Sequence, residues 1–265
     1  MDYEVCRKVW ESQVPVQFTL HSNSALGDPL PFYTMLPRYS FLALAVPRVL
    51  AYFNRREDGE KIVIDQIWLE ASGSPAKMYA PVGVLYDLQN LERDQILEIT
   101  VKTSSPPPGF VPIDRNAMEA IFMQSIKEAD YLKTKAATTN NMQKEEYAQL
   151  WRSVTNNNFD EYWTIIQKLM EEKDGKEFDH IPLRVCMKNK PFKQILISSK
   201  DKSGSLITIG DAIAQVLEDS AVADPSDFRI TSHGIDVPPH TPLIFAAKNM
   251  AYPDNFVHIV VVPKL

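Results

Sequence analysis

Few side chains of this sequence are spaced for chemistry. The five histidines, His21, His180, His233, His240 and His258, form no i,i+4 pair that would aim two imidazoles at one zinc ion from a helix. The two cysteines, Cys6 and Cys186, are too few for a disulfide framework or a four-ligand zinc site. Cys186 lies in LRVCMK, where alternation sets Ile181, Leu183, Val185 and Met187 on one face and Pro182, Arg184 and Cys186 on the other. No histidine neighbours it in sequence, so a structural cysteine is the better reading than a thiol nucleophile. Gly204 and Gly210 lack the following lysine of a phosphate loop, and Ser203–Ser205 lacks the strand-to-helix setting of a nucleophile elbow. Glu128 and Asp130 diverge by about 200° on a helix, which rules out a shared substrate and reads as a solvated face. No catalytic residue, cofactor or metal is therefore expected. What remains is a primary amine, that of Lys127 in SIKEAD.

The element that positions this amine is a helix over Asp114–Lys135. Met118, Ile121, Phe122, Ser125, Ala129 and Leu132, with Ile126 beside them, recur at the spacing of a buried stripe. Lys127 falls off that stripe, toward solvent. Ahead of it, Tyr3–Ser12 forms a short helix burying Val9 and Trp10. Val14–His21, Phe32–Leu36, Ile67–Ala71 and Ile96–Thr103 read as strands, Phe41–Phe53 as a helix, and Lys77–Gly83 as the approach to another extended segment. Pro106–Pro108, Gly109 and Pro112 make a stiff connector. Beyond the long helix, Thr139 or Asn140 is the expected cap of a helix carrying Tyr147, Leu150, Trp151 and Val154. Asn157 or Asn158 caps the next, with Phe159, Trp163, Ile166 and Met170 as core anchors rather than a cofactor box. The charged stretch over 171–177 is an exposed turn.

The final segment repeats the first in outline. Its strands are Ile181–Met187, Phe192–Ile197, Phe228–Thr231 and Phe256–Val262. A helix opens at Thr208 with Asp211 as an acidic capping-box partner, and Leu243–Lys248 is a second short helical piece. Both end segments resemble the ubiquitin-like roll, giving an α+β chain of roll, helix-rich middle and roll. The parts are an N-terminal helix over 1–12, a first roll over 13–105, a linker over 106–113, a helix-rich domain over 114–178 and a second roll over 179–265.

A chain of 265 residues with 45% hydrophobic and 23% charged residues is globular, and its net charge of −6 offers no broad field for a phosphate backbone. No nucleic-acid partner is expected. Lys188, Lys190 and Lys193 form a local basic patch that is either a solvated loop or a point of membrane contact. The charged opening MDYEVCRKVW does not read as a signal peptide, and Phe41–Leu50 is broken by Pro47 and Arg48, so a soluble intracellular protein is expected. The ending VVPKL lacks the glycine tail of a transferred ubiquitin-like modifier.

Several long motifs in fixed order carry a resemblance. They are VWESQVPVQFTL (9–20), PFYTMLPRYSFLAL (31–44), PVGVLYDL (81–88), FMQSIKEADYLK (122–133), QLWRSVTNNNFDEYWTIIQKLM (149–170), IPLRVCM (181–187) and YPDNFVHIVVVP (252–263). Over nearly its whole length the chain resembles the autophagy protein 5 family. The resemblance implies two ubiquitin-like (β-grasp) domains flanking a helix-rich domain, and an isopeptide bond between a lysine, matched here by Lys127, and the C-terminal glycine of the ubiquitin-like autophagy protein 12. It also implies an amphipathic helix of autophagy protein 16 in a groove. The conjugate then acts as an E3-like factor with the carrier enzyme of the autophagy protein 8 system, promoting lipidation of autophagy protein 8 on phosphatidylethanolamine. The implied protein is a non-catalytic scaffold, cytoplasmic and recruited to the preautophagosomal (isolation) membrane through peripheral contact. Groove residues do not follow from the sequence; Arg38, set among apolar residues in LPRYSF, is the one candidate. The competing expectation is a ubiquitin-like adaptor that binds partners without any covalent bond.

Overall fold

A computed structural model describes residues 1–21, 29–55, 61–89, 95–108, 110, 114–171, 178–218 and 225–264. The loop over 22–28, the charged run over 56–60, Gly109 and residues 111–113 of the connector, and the expected turn over 172–177 lie outside the described residues. The chain divides into two compact units, one of Gln13–Met118 and one of Met1–Ser12 with Glu119–Leu265.

In the Gln13–Met118 unit, β1 (Gln13–His21) alternates as its sequence predicts, burying Val14, Val16, Phe18 and Leu20. It pairs antiparallel with β2 (Phe32–Pro37) and parallel with β5 (Leu97–Lys102), whose Leu97, Ile99 and Val101 fill the same core. With β3 (Trp68–Ala71) and β4 (Ser74–Pro75) the sheet order is β2-β1-β5-β3-β4. Helix α2 (Leu42–Phe53) turns seven buried residues inward and leaves Pro47 on its exposed side. The extended segment expected after Lys77–Gly83 is instead a helix, α3 (Val82–Leu88). VGVLYDL is buried at six of its seven positions, so its pattern has no wet side from which a helical period could be read.

The other unit opens with α1 (Tyr3–Trp10), capped by the Asp2 carboxylate on Val5 N–H at 3.1 Å. Trp10 is buried, its indole N–H donating to Asn157 Oδ1 at 2.8 Å, whereas Val9 is half-buried. Trp10 stacks on Tyr162 at 4.6 Å and Tyr3 meets Trp163 edge-on at 5.0 Å, so these aromatics are core anchors, as expected.

Three helices follow, α4 (Arg115–Thr134), α5 (Lys144–Thr155) and α6 (Phe159–Met170). The expected cap of α5 at Thr139 or Asn140 is displaced to Gln143, whose side chain and that of Glu146 form a capping box. Thr139–Asn141 make a separate 3₁₀ turn. Asn158 caps α6 on Glu161 N–H at 3.2 Å, while Asn157 adopts φ +54°.

The second sheet runs β6 (Leu183–Met187), β7 (Lys193–Gln194), β8 (Phe228–Ser232), β9 (Ile235–Asp236) and β10 (Val257–Pro263) in the order β7-β6-β10-β8-β9. That order repeats the first sheet strand for strand, with the β6–β10 pair parallel like β1–β5. The expected strand over Phe192–Ile197 keeps only two residues. Helix α7 (Ile209–Glu218) starts with the reciprocal box the sequence predicts: Thr208 N–H donates to Asp211 at 2.9 Å and Asp211 N–H to Thr208 Oγ1 at 3.2 Å. With α8 (Leu243–Asn249), it packs Ile213, Val216, Leu243 and Ala246 onto Leu183, Val185, Ile259 and Val261.

Candidate functional site

Helix α4 carries the one amine that the sequence singles out. Its N-terminus is held by the Asp114 carboxylate, which accepts from Ala117 N–H at 2.7 Å. Met118, Phe122, Ser125, Ile126, Ala129 and Leu132 are buried, and Lys127 is exposed, between exposed Gln124 one turn before and Tyr131 one turn after. The Lys127 ammonium rests 5.5 Å from the centroid of the Tyr147 ring on α5. Among the described residues no carboxylate forms an ion pair with it.

The lysines nearest to it are engaged. Lys133 is 2% exposed and donates to the carbonyl oxygen of Leu169 at the end of α6, beneath the Phe178 ring. Burial lowers its pKa to about 7 against the opposing pull of Asp130. Lys135 is ion-paired to Asp179 at 3.6 Å and lies over the Tyr131 ring. Of the three, only Lys127 combines exposure with freedom from an ion pair among the described residues.

The solvated face expected of Glu128 and Asp130 is half wrong. Asp130 is fully buried. Its carboxylate accepts from Thr139 N–H at 2.7 Å, Thr138 N–H at 3.1 Å, Thr139 Oγ1 at 2.9 Å and Thr134 Oγ1 at 2.8 Å. Four donors replace the water that burial removes, which is what makes a carboxylate tolerable there. Glu128, half-buried, pairs with Arg184 at 3.4 Å and accepts from Gln194 at 2.7 Å. The spacing holds the signal: Asp130 is four residues after Ile126, and Lys133 likewise four after Ala129, on the buried stripe.

Arg184 ties α4 to the second sheet. It reaches Ser125 Oγ at 3.3 Å, Glu128 at 3.4 Å and Asp254 at 3.1 Å. Asp254 in turn meets His258 Nε2 at 2.9 Å. Burial pushes the Asp254 carboxyl up, but His258, Arg184 and the Phe256 N–H outweigh it and hold the group below the ordinary range. Nothing in the sequence marked this cluster, because its members come from three separate segments.

The other candidates have plainer settings. Cys186 is buried in β6 opposite Val260. Cys6 is half-buried with its thiol 3.8 Å from the carbonyl oxygens of Lys248 and Asn249, and burial pushes it up to about 11, away from thiolate chemistry. Arg38 does not line an open groove by charge: it is 6% exposed and ion-paired to buried Asp87. Lys188 and Lys190 are exposed near the β6–β7 turn, while Lys193 donates to the Val216 carbonyl at 3.1 Å. Among the described residues no group of three or more His, Cys, Asp or Glu could hold a metal, and no helix is long and apolar enough to cross a membrane.

Comparison with known proteins matches the chain in three stretches. Family models described as Autophagy protein ATG5, UblA domain, alpha-helical bundle region and UblB domain match residues 9–103, 115–172 and 180–261. Autophagy-related protein 5 of Caenorhabditis elegans is 63% identical over 269 aligned residues, covering 98% of each chain. Autophagy protein 5 of Drosophila melanogaster is 33% identical over 271, covering 98% of this chain and 97% of its own. The crystal structure of Kluyveromyces marxianus Atg5 matches with a TM-score of 0.81 over 98% of this chain and 100% of that one; at 17% identity it speaks for the fold alone.

Proposed function

The chain belongs to the autophagy protein 5 family, scaffold-type autophagy proteins in which two ubiquitin-like domains flank a helical bundle, and from that premise we propose that its function is exercised as a covalent conjugate. Lys127 is the acceptor. Its neutral amine attacks the thioester carbonyl carbon of the C-terminal glycine of autophagy protein 12; the C–N bond forms, the C–S bond breaks, the carrier's cysteine leaves as thiolate and the amine proton passes to solvent. The chain supplies the amine and its position, not a nucleophile of its own for turnover. The conjugate binds a helix of autophagy protein 16 in a groove, the helix-in-groove mode. Together they act as an E3-like factor that places the carrier enzyme of autophagy protein 8 at the isolation membrane for transfer to phosphatidylethanolamine. The cytoplasmic chain reaches that membrane by peripheral contact.

The observation that supports this reading most is the contrast among neighbouring lysines. Lys127 is exposed on α4, Lys133 is buried and Lys135 is ion-paired. A thioester held on a carrier enzyme needs an amine with open approach, and Lys127 offers it with no ion pair to break among the described residues.

Co-expression with autophagy protein 12 and its activating and carrier enzymes tests it, with intact mass and peptide mapping as readout. An adduct on wild type that is absent from Lys127→Arg is the expected result. An adduct that persists in the variant moves the acceptor elsewhere. No adduct on wild type, with the enzymes shown active on a control substrate, favours the adaptor that binds without a covalent bond.

A further inference from the structure

Lys127 is exposed but not unconstrained. Its ammonium sits 5.5 Å from the Tyr147 ring centroid, within the range of a cation–π contact. Tyr147 is half-buried and its ring is not free to swing away, because its hydroxyl donates to the Thr139 carbonyl at 2.8 Å. Thr139 is itself pinned by N–H and hydroxyl, at 2.7 and 2.9 Å, to the buried Asp130 carboxylate. Asp130 stands on α4, three residues after Lys127. The path from the helix that carries the amine to the ring that meets it is thus closed by hydrogen bonds throughout.

We propose that Tyr147 is a positioning residue for the acceptor amine: its ring, anchored through Thr139 to Asp130, sets where the Lys127 side chain rests and so favours this lysine over its neighbours. The proposal depends on Lys127 being the acceptor, as argued above. A lysine on a bare helix face samples many rotamers of its four-carbon stem, few of which point at an incoming thioester. A ring fixed beside it narrows that distribution. Tyr147 takes no part in the bond changes. The gain is one of orientation, and its scale is that of an exposed cation–π contact, about two- to fivefold in rate.

The test measures single-turnover transfer from the preformed carrier–autophagy protein 12 thioester to the full chain, at varied carrier concentration, for wild type, Tyr147→Leu, Tyr147→Phe and Lys127→Arg. Tyr147→Leu should lower the maximal rate about two- to fivefold, leave the half-saturating carrier concentration unchanged, and raise the share of adduct mapped to other lysines. Tyr147→Phe, which keeps the ring but loses its hydroxyl anchor to Thr139, should fall between Tyr147→Leu and wild type. Proton NMR of the unconjugated chain gives a readout independent of enzymes and of any variant's stability: the ε-methylene protons of Lys127 should be shifted upfield by the ring in wild type. Transfer by Tyr147→Leu at wild-type rate and site distribution overturns the proposal, as does an unshifted ε-methylene in wild type. An adduct retained in Lys127→Arg at full yield instead overturns the assignment of the acceptor, so the two failures are told apart.

Discussion

Arg184 lays its guanidinium 3.6 Å from the centroid of the Phe256 ring while its nitrogens donate to Ser125, Glu128 and Asp254. Standing on β6, one side chain thereby joins α4 to the residues that lead into β10. Its side chain is 11% exposed and that of Asp254 6% exposed, so each charge depends on the other for what water would otherwise supply.

Replacing Arg184 by leucine leaves Asp254 buried with His258 as its remaining side-chain partner. The expected loss is about 3 kcal/mol of unfolding free energy. Arg229→Leu removes an ion pair with Asp236 whose side chains are 33% and 57% exposed, and should cost no more than about 0.5 kcal/mol. Urea melts of both variants beside wild type check the contrast; equal costs would mean that the Arg184 cluster is not acting as a buried unit.

Lys133 makes stability depend on pH in a direction opposite to that of an ordinary paired lysine. Its folded pKa of about 7 lies below the unfolded value near 10.5. Between those values the unfolded chain holds a proton that the folded chain lacks, so unfolding free energy rises with pH across the window, by up to about 1.4 kcal/mol per pH unit. Below about pH 7 both states are protonated and the dependence ends. Chemical denaturation of wild type and Lys133→Met at pH 6, 7.5 and 9 should show the wild type gaining on the variant as pH rises. A constant gap would show that Lys133 keeps its proton when buried.

Much of this architecture was legible in the sequence, and the exceptions share a cause. Strands with one wet face, such as β1 and β5, announced themselves through alternation, and the amphipathic α4 through its stripe. α3 did not, because VGVLYDL is buried at six of its seven positions and a short run of that kind suits a strand equally well. Asp130 reads as solvated because its side-chain type argues for water while its position argues for the core, and Lys133 and Arg38 carry the same conflict. Each is buried where hydrogen bonds or an opposite charge come from residues distant in sequence: Thr139 for Asp130, Leu169 for Lys133, Asp87 for Arg38. The position of Lys127 off the stripe was readable; its contact with Tyr147, twenty residues on, was not.

Asp130→Asn keeps the shape of the side chain and an oxygen for the N–H groups of Thr138 and Thr139, but turns the acceptor facing Thr134 Oγ1 into a donor and removes the charge. The variant should lose about 1–2 kcal/mol, since the hydrogen bonds that remain are no longer made to a charged group. Thr139→Ser, which retains the donors to Asp130, should lose under about 1 kcal/mol. Asp130 also favours the charged form of Lys133, so the titration of Lys133 should move below its wild-type value of about 7 in Asp130→Asn. Following the Lys133 ε-carbon by NMR against pH reads this shift directly, and an unchanged midpoint would show that the two groups are not coupled.

Gly83, the second residue of α3, has no room for a side chain. An added Cβ would stand 2.8 Å from Arg38 Cβ and 2.9 Å from the Arg38 carbonyl oxygen, which accepts the Gly83 N–H at 2.7 Å. Because the obstructing atoms are a backbone oxygen and a Cβ, neither can yield by a change of rotamer. Gly83→Ala must push α3 away from Arg38, loosening the Arg38–Asp87 pair with it, at a cost of about 2–3 kcal/mol. Gly204 offers the control: at φ +87° with open space around it, alanine there meets only the backbone penalty, about 1 kcal/mol. Thermal melts of the two variants separate the effects. A Gly83→Ala chain that adds Arg38→Ala should lose less than the sum of the single changes, because the carbonyl-bearing strand end is freer to move once its guanidinium no longer grips Asp87; strict additivity would show that the clash is with the backbone alone.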